Sequence, residues 1–246
     1  MELSNRLKAV ADLVSPGSVV CDVGCDHGYV PIYLVQNRIC TKVIAMDVNA
    51  GPLERAREHI RAFALEEYIE TRRSDGVEAL ECGEADCLIL AGMGGRLVIR
   101  ILTKGREKIR TMREIILQPQ SDIGQVRAFL RRLGLRILQE DMVYEDGKYY
   151  PMIRVVPEPA GNVRNVEEIA KDVRQQAYDR YGPDLLQKQH RILYQYLLWE
   201  QERETAISSR ILAQAGNESA ANGRRLTELL QSARIREFAL SCFDQR

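Results

Sequence analysis

The sequence has no run of 18 or more apolar residues, which excludes a helical membrane span. Its opening, Met1-Glu2-Leu3-Ser4-Asn5-Arg6, has no apolar signal region, so the expected location is the cytoplasm. The six cysteines, Cys21, Cys25, Cys40, Cys82, Cys87 and Cys242, contain no Cys-x-x-Cys pair, and no histidine stands at ligand spacing from them. That argues against a zinc site or a disulfide framework and for reduced thiols, so no metal is expected. Cys21 and Cys87 fall in apolar runs, where cysteine packs as a small hydrophobe. Net charge is also absent, with 35 basic and 35 acidic residues.

What is present is an ordinary globular composition, 45% apolar and 28% charged. The first two thirds alternate short apolar runs with helix-length segments. Strands are predicted at 18–23, 42–47, 69–73, 86–91 and 114–117, and the continuous apolar runs suit parallel strands covered on both faces. Helices are predicted at 31–36, 52–63, 95–103 and 123–133, with Gly134 placed to end the last. This repeat implies right-handed crossovers and a doubly wound, Rossmann-like α/β sheet. Two further strands, 135–144 and 148–156, flank Glu145-Asp146-Gly147, a hairpin signal.

Pro157-Glu158-Pro159-Ala160-Gly161 reads as a linker, which divides the chain into a domain of residues 1–157 and an all-α region of residues 162–246. In that second region helices are expected from Val166 to Tyr181, from an Asp184 cap to about Ala215, and from about Glu218 to Leu240. The glycine turn Gly216-Asn217 between the last two suggests an antiparallel helical hairpin or coiled coil. Trp199, Tyr194 and Tyr196 on the long helix fit packing better than base stacking.

The candidate chemistry sits at the carboxyl ends of the strands, where open α/β sheets bind ligands. After the first strand comes Asp22-Val23-Gly24-Cys25-Asp26-His27-Gly28-Tyr29. Gly24 and Gly28 allow a tight turn and close backbone approach to a ligand. Asp47, nineteen residues past Gly28, ends the second strand, where an acid can bind both ribose hydroxyls of a nucleoside. A dinucleotide loop has glycine where this chain has Asp26, and a carboxylate beside a pyrophosphate repels it. Beside a sulfonium it is welcome, so Asp22 and Asp26 favour S-adenosyl-L-methionine over NAD. His27 can act as a base, orient substrate, or merely hydrogen-bond the loop.

Three further rim segments complete the pattern. Asp75 in Arg73-Ser74-Asp75-Gly76 can accept from an adenine amino group or cap a turn. Ala91-Gly92-Met93-Gly94-Gly95-Arg96 brings backbone close to a ligand, or is a tight strand-to-helix turn. Leu117-Gln118-Pro119-Gln120-Ser121 can read a base edge or form a polar turn. Charge is also uneven. Arg96 to Arg136 holds eleven basic and three acidic residues, net +8, whereas residues 1–95 hold nine and fifteen, net −6. A basic stretch fits a polyanion, with Arg96, Arg100, Arg127, Arg131 and Arg132 as candidates, or a solvated helix face.

The string of motifs resembles the bacterial tRNA (adenine-22-N1)-methyltransferases along nearly the whole chain. It comprises Leu3-Ser4-Asn5-Arg6-Leu7, the segment 22–29, Asp47-Val48-Asn49, Ser74-Asp75-Gly76, Gly92-Met93-Gly94-Gly95, Leu117-Gln118-Pro119 and Tyr181-Gly182-Pro183. One departure is Gln120, where the family is expected to carry Asn. The resemblance implies a class I methyltransferase sheet ending in an antiparallel hairpin, and methylation of adenine N1 at position 22 of tRNA. It places Gly24, Asp26, His27, Gly28, Asp47, Asp75, Gly76, Gly92, Met93, Gly94 and Gly95 around the cofactor, and Asp22, Cys25, Val48 and Ser74 in the same segments are further candidates for that site. It gives the C-terminal helices a part in holding tRNA. For that reaction Tyr29 and the Gln118-Pro119-Gln120 loop are the candidates to hold the base, and Asp26 is the carboxylate expected to stabilise the cationic product. Two other readings stay open: a methyltransferase acting on a small molecule or protein, and a tRNA-binding protein without catalysis.

Overall fold

The computed structural model describes residues 1–158, 172–213 and 220–244. The chain divides into two compact units, Met1–Val163 and Arg164–Arg246. In the first, β1 (Ser18–Val23), β2 (Cys40–Asp47), β3 (Ile69–Arg73), β4 (Cys87–Met93), β5 (Glu114–Pro119), β6 (Leu135–Glu145) and β7 (Lys148–Pro157) form one sheet. Its order is β3-β2-β1-β4-β5-β7-β6. Strands β1 to β5 pair in parallel, and β7 runs antiparallel to both β5 and β6. All seven expected strands are present, and the sheet is a Rossmann-like one closed by an antiparallel hairpin.

Burial on both faces explains why the central parallel strands are largely apolar, whereas the edge strand β3, Ile-Glu-Thr-Arg-Arg, is not. Val20, Val43, Ala45, Ile89 and Ile116 face a core completed by α1 (Asn5–Ala11), α2 (Tyr29–Gln36) and α3 (Ala50–Ala62). Cys21, Val23, Ile44, Met46, Leu88 and Leu90 face the other, completed by α4 (Gly95–Lys104), α5 (Arg106–Ile109) and α6 (Ile123–Leu133). Each large aliphatic side chain so buried contributes about 1.5–3 kcal/mol. Cys21 and Cys87 are fully buried among them, and all six cysteines are free thiols. Gly134 ends α6 with φ +75, and Asp146-Gly147 turn the hairpin with φ +49 and +75. Positive φ at both central residues is the type I′ requirement, which Asp-Gly meets.

The order reverses between β1 and β4, so the crevice outside their carboxyl ends is the ligand position of such a sheet. Helix α1, absent from the sequence expectations, starts at Ser4, whose hydroxyl accepts from the Leu7 N–H at 3.3 Å. Its Asn5 N–H donates to Glu145 Oε1 at 2.8 Å, tying the helix to the hairpin end.

The second unit contains α7 (Val173–Tyr181), α8 (Pro183–Gln187), α9 (Arg191–Ala213) and α10 (Ala220–Ser241). The single helix expected from Asp184 is broken: Gln189 takes φ +51, and Asp184 lies inside the short α8 after Pro183. Glu200 pairs with Arg236, and Glu204 with Ser232, so α9 and α10 run antiparallel. Arg180 and the Tyr181 and Tyr196 hydroxyls join the same network. Trp199, 42% exposed, packs against Tyr196 and under Arg203, and Tyr194, 40% exposed, packs against Phe243, the packing role expected of them at the edge of the unit and not in its core. The expected helical residues 166–171, the end of the linker at 159–161 and the turn Gly216-Asn217 lie outside the described residues.

Candidate active site

The loop between β1 and α2 is built from hydrogen bonds that only a tight turn permits. The Gly24 and Cys25 N–H groups both donate to the Met46 carbonyl, at 2.8 and 3.0 Å. The Gly28 N–H donates to the Cys25 carbonyl at 2.7 Å, and Gly28, with φ +74, opens α2. Met93 crowds Gly24: a Cβ there would lie 2.6 Å from Met93 Cε and push the end of that side chain aside, and φ +75 itself favours glycine. Thus the loops after β1 and β4 are packed against each other. At Gly95 a Cβ would collide with the Ser121 carbonyl oxygen, which holds the β4 and β5 loops together in the same way.

Two carboxylates are buried at this rim. Asp22 is 4% and Asp47 8% exposed. Burial, and then the charge of Asp47, push the Asp22 carboxyl up to about 7. Asp47 Oδ1 accepts from the Asn49 N–H at 2.8 Å, which orients the carboxylate. Asp26 differs from the expectation that it supplies the loop's negative field: its side chain is 66% exposed, 3.6 Å from His27 Nε2, on a left-handed backbone of φ +48. The buried acidity comes from Asp22 and Asp47 instead. Cys25 is buried in the loop, and burial raises its thiol pKa well above the ordinary range.

An aromatic cluster stands at the start of α2. His27, Tyr29 and His59 stack pairwise, with centroids 5.3, 5.4 and 5.8 Å apart. The His27 carbonyl accepts from His59 at 2.9 Å, so Nδ1 of His59 carries the proton. Tyr29 is 37% exposed. His59 was not singled out in the sequence, since its spacing from the loop carries no local signal.

Across β3 the expected residues serve one another. Ser74, buried, accepts from the Ala79 N–H at 3.0 Å, and its N–H donates to the Asp47 carbonyl. Gly76 takes φ +61, and the Val48 carbonyl accepts from Arg73 Nε at 3.1 Å. Asp75 lies 3.5 Å from Arg100 and 3.6 Å from Lys104. Those pairs are exposed and screened by solvent, so a ligand can compete for either partner. Asp75 and Arg100 were expected to bind different partners, yet they face each other.

The far side of the rim is organised around Gln118, which is fully buried at the end of β5. Its Oε1 accepts from the Gly92 N–H and from Arg6 Nη1, each at 3.0 Å. Arg6 comes from α1 and lies over the Tyr150 ring, 5.5 Å from its centroid. Gln118 Nε2 is buried and, among the described residues, has no hydrogen-bond partner. Leaving such a donor unmade costs about 1–3 kcal/mol. Pro119 is buried beside it, and Gln120 is exposed, its N–H donating to the Met93 carbonyl at 2.8 Å. Arg6 carries no expected role in the sequence; Ser4 as a helix cap is the signal that could place it on an ordered element.

The basic stretch is not one surface. Arg127 is 2% exposed and pairs with the fully buried Glu140 at 2.7 Å, so it is not available to a phosphate. It lies on the face of α6 that carries Val126 and Leu130, which a charge count does not reveal. Arg96, Arg100 and Arg132 are exposed, and Arg131 is half-buried. Among the described residues no cluster could hold a metal ion, and no helix is long and apolar enough to cross a membrane.

A family model described as a methyltransferase domain matches residues 3–153. A Bacillus subtilis tRNA (adenine(22)-N(1))-methyltransferase is 35% identical over 153 residues, which are 62% of this chain and 64% of that relative. The crystal structure of the B. subtilis M1A22 tRNA methyltransferase TrmK superposes with a TM-score of 0.81 at 28% identity, covering 97% of this chain and 98% of that one. A Streptococcus pneumoniae structure in complex with S-adenosyl-L-methionine gives 0.75 at 29% identity, covering 96% and 99%.

Proposed function

The chain belongs to the methyltransferase-domain family, and from that premise we propose that it methylates N1 of adenine 22 in tRNA, using S-adenosyl-L-methionine. The observation that carries the choice of cofactor is the pair of buried carboxylates, Asp22 and Asp47, beside the loop of Gly24 to Gly28. A pyrophosphate beside the loop would oppose ionisation of Asp22, whose carboxyl is raised to about 7, whereas a sulfonium favours it, and a ribose is complementary to Asp47. The tRNA substrate is supported by the likeness to the B. subtilis enzyme.

On this reading Asp47 holds the ribose hydroxyls with the oxygen that Asn49 leaves free. Gly24, Cys25, His27, Gly28, Val48, Ser74, Asp75, Gly76 and Gly92 to Gly95 shape the remainder of the cofactor cradle. When bound, the cofactor supplies an activated methyl on a sulfonium with a neutral leaving group. Adenine N1 brings its own lone pair, so no residue has to remove a proton before attack. What the chain supplies is orientation, for which about 7–11 kcal/mol is available in well-aligned systems. A paired adenine must be unstacked first, at about a few kcal/mol. Tyr29 and the Gln118-Pro119 corner hold it. Asp26 offers a carboxylate to the cationic methylated ring.

Arg96, Arg100, Arg131 and Arg132 contact tRNA phosphates, the helical region adds a second hold, and tRNA places the reaction in the cytoplasm. Incubation with unmodified tRNA and methyl-labelled cofactor, followed by mapping of the modified base, tests the proposal. Label at N1 of adenine 22 is expected. Label on another base, or none on tRNA, overturns it.

A further inference from the structure

The amide of Gln118 has one orientation open to it. Its buried oxygen side faces the Gly92 N–H and an Arg6 guanidinium, both at 3.0 Å. Neither group can accept, so reversal would set donor against donor twice. Arg6 is itself held, capped through its helix by Ser4 and laid over Tyr150. The consequence is a buried Nε2 with unspent hydrogens, beside the loop where the transfer is proposed to occur.

Resting on the proposed tRNA adenine methylation, we infer that Arg6 is a positioning residue that locks Gln118 as a hydrogen-bond donor to the target base. A donor cannot pair with the adenine 6-amino group. It cannot occupy N1 either, because that lone pair forms the new N–CH3 bond as the sulfonium C–S bond breaks. The acceptors left on the ring are N7 and N3. Gln118 therefore reads a ring nitrogen away from the reacting edge. Gln120 is exposed, and its amide and the Arg6 guanidinium both stand beside Gly92.

The decisive variant is Gln118→Glu. It keeps both bonds to Gly92 and Arg6 and turns the free donor into an acceptor, so a purely structural Gln118 would tolerate it. Arg6→Lys and Arg6→Leu test the lock. The assays use full-length protein, calorimetric titration of S-adenosyl-L-methionine, thermal unfolding, and single-turnover methylation of RNA carrying adenosine, 7-deazaadenosine or 3-deazaadenosine at the target position.

Wild type should methylate one deaza substrate at least about tenfold more slowly than adenosine, the weight of one buried hydrogen bond. A deaza ring has a more basic N1, so a slower rate reports lost recognition and not a weaker nucleophile. Gln118→Glu should lose at least as much on adenosine and show no further loss on that analogue, with cofactor affinity and melting temperature held. Arg6→Leu should follow it, and Arg6→Lys should recover part of the rate. Equal rates on all three bases, or full activity of Gln118→Glu, overturn the inference while tRNA methylation stands. Weakened cofactor binding by Gln118→Glu also overturns it, assigning the donor to the cofactor. A wild type that methylates no tRNA removes the functional reading and the inference with it.

Discussion

The two halves of the rim hold buried polar groups of opposite character. On the β1–β2 side stand two carboxylates, Asp22 and Asp47, which can only accept hydrogen bonds when ionised. On the β4–β5 side stands the Gln118 amide, whose oxygen is already used and whose nitrogen is not. The first half suits a cation and hydroxyl donors, the second a neutral acceptor. One rim can thus seat two ligands without exchanging them, because each half is the wrong chemistry for the other's guest.

The sharpest way to break that division is to remove one half and read the other. Asp47→Ala should weaken S-adenosyl-L-methionine binding about 100-fold or more, since two hydrogen bonds to a carboxylate are worth about 1.5–3 kcal/mol each. Gln118→Ala should leave cofactor affinity within about twofold and lower methylation instead. Calorimetry of both variants decides it, and comparable losses of cofactor affinity would show that the halves are not separate. Tyr29→Ala should reduce kcat/KM for tRNA about 10- to 100-fold, the range of one base–aromatic stack, with cofactor binding unchanged. Undiminished methylation by both Tyr29→Ala and Gln118→Ala would take the base away from that side.

A smaller effect comes from Asp22. Its carboxyl has an ordinary value of 3.8 and is raised to about 7 in the fold, first by burial and then by Asp47. The folded protein therefore keeps a proton that the unfolded chain has released. The associated stability is whole below about pH 4, declines as pH rises, and is gone above about 7. Asp22→Asn should remove that slope, read as the difference between the two melting curves across the range. A cation beside the group favours its ionised form, so affinity for the sulfonium cofactor should rise as pH passes through about 7. A parallel pH response of wild type and Asp22→Asn would contradict it.

How much of this was legible in the sequence followed the range of the interactions. The strands were readable because burial on both faces leaves an unbroken apolar run, and the hairpin because Asp146-Gly147 meets a local φ requirement. Asp47 and the loop of Gly24 to Gly28 were readable for the same reason: backbone geometry selects the residue type. Arg6 was not, because its partner Gln118 lies 112 positions away. The break before α9 was hidden because Gln189, not glycine, takes the left-handed turn. Asp22 and Asp26 are alike in the sequence, yet Asp22 is buried and Asp26 exposed, since charge is written in sequence and exposure is not.

Arg127 extends the same point to the proposed RNA contacts and yields the smallest prediction at the binding surface. Among the arginines of the basic stretch, Arg132 is exposed and Arg127 is sealed against Glu140. Arg132→Glu should lower tRNA affinity and flatten its dependence on salt by about one unit of slope, because one phosphate contact and its released counterion are lost. Cofactor affinity and melting temperature should not move. Arg127→Ala should do the reverse, destabilising the fold by about 3–5 kcal/mol through an uncompensated buried Glu140, with no change in salt slope for the protein that remains folded. Filter binding across a salt series, run beside thermal unfolding, separates the two. If Arg132→Glu leaves the slope intact, the phosphate path lies off α6, and the basic stretch reduces on that side to a solvated helix face.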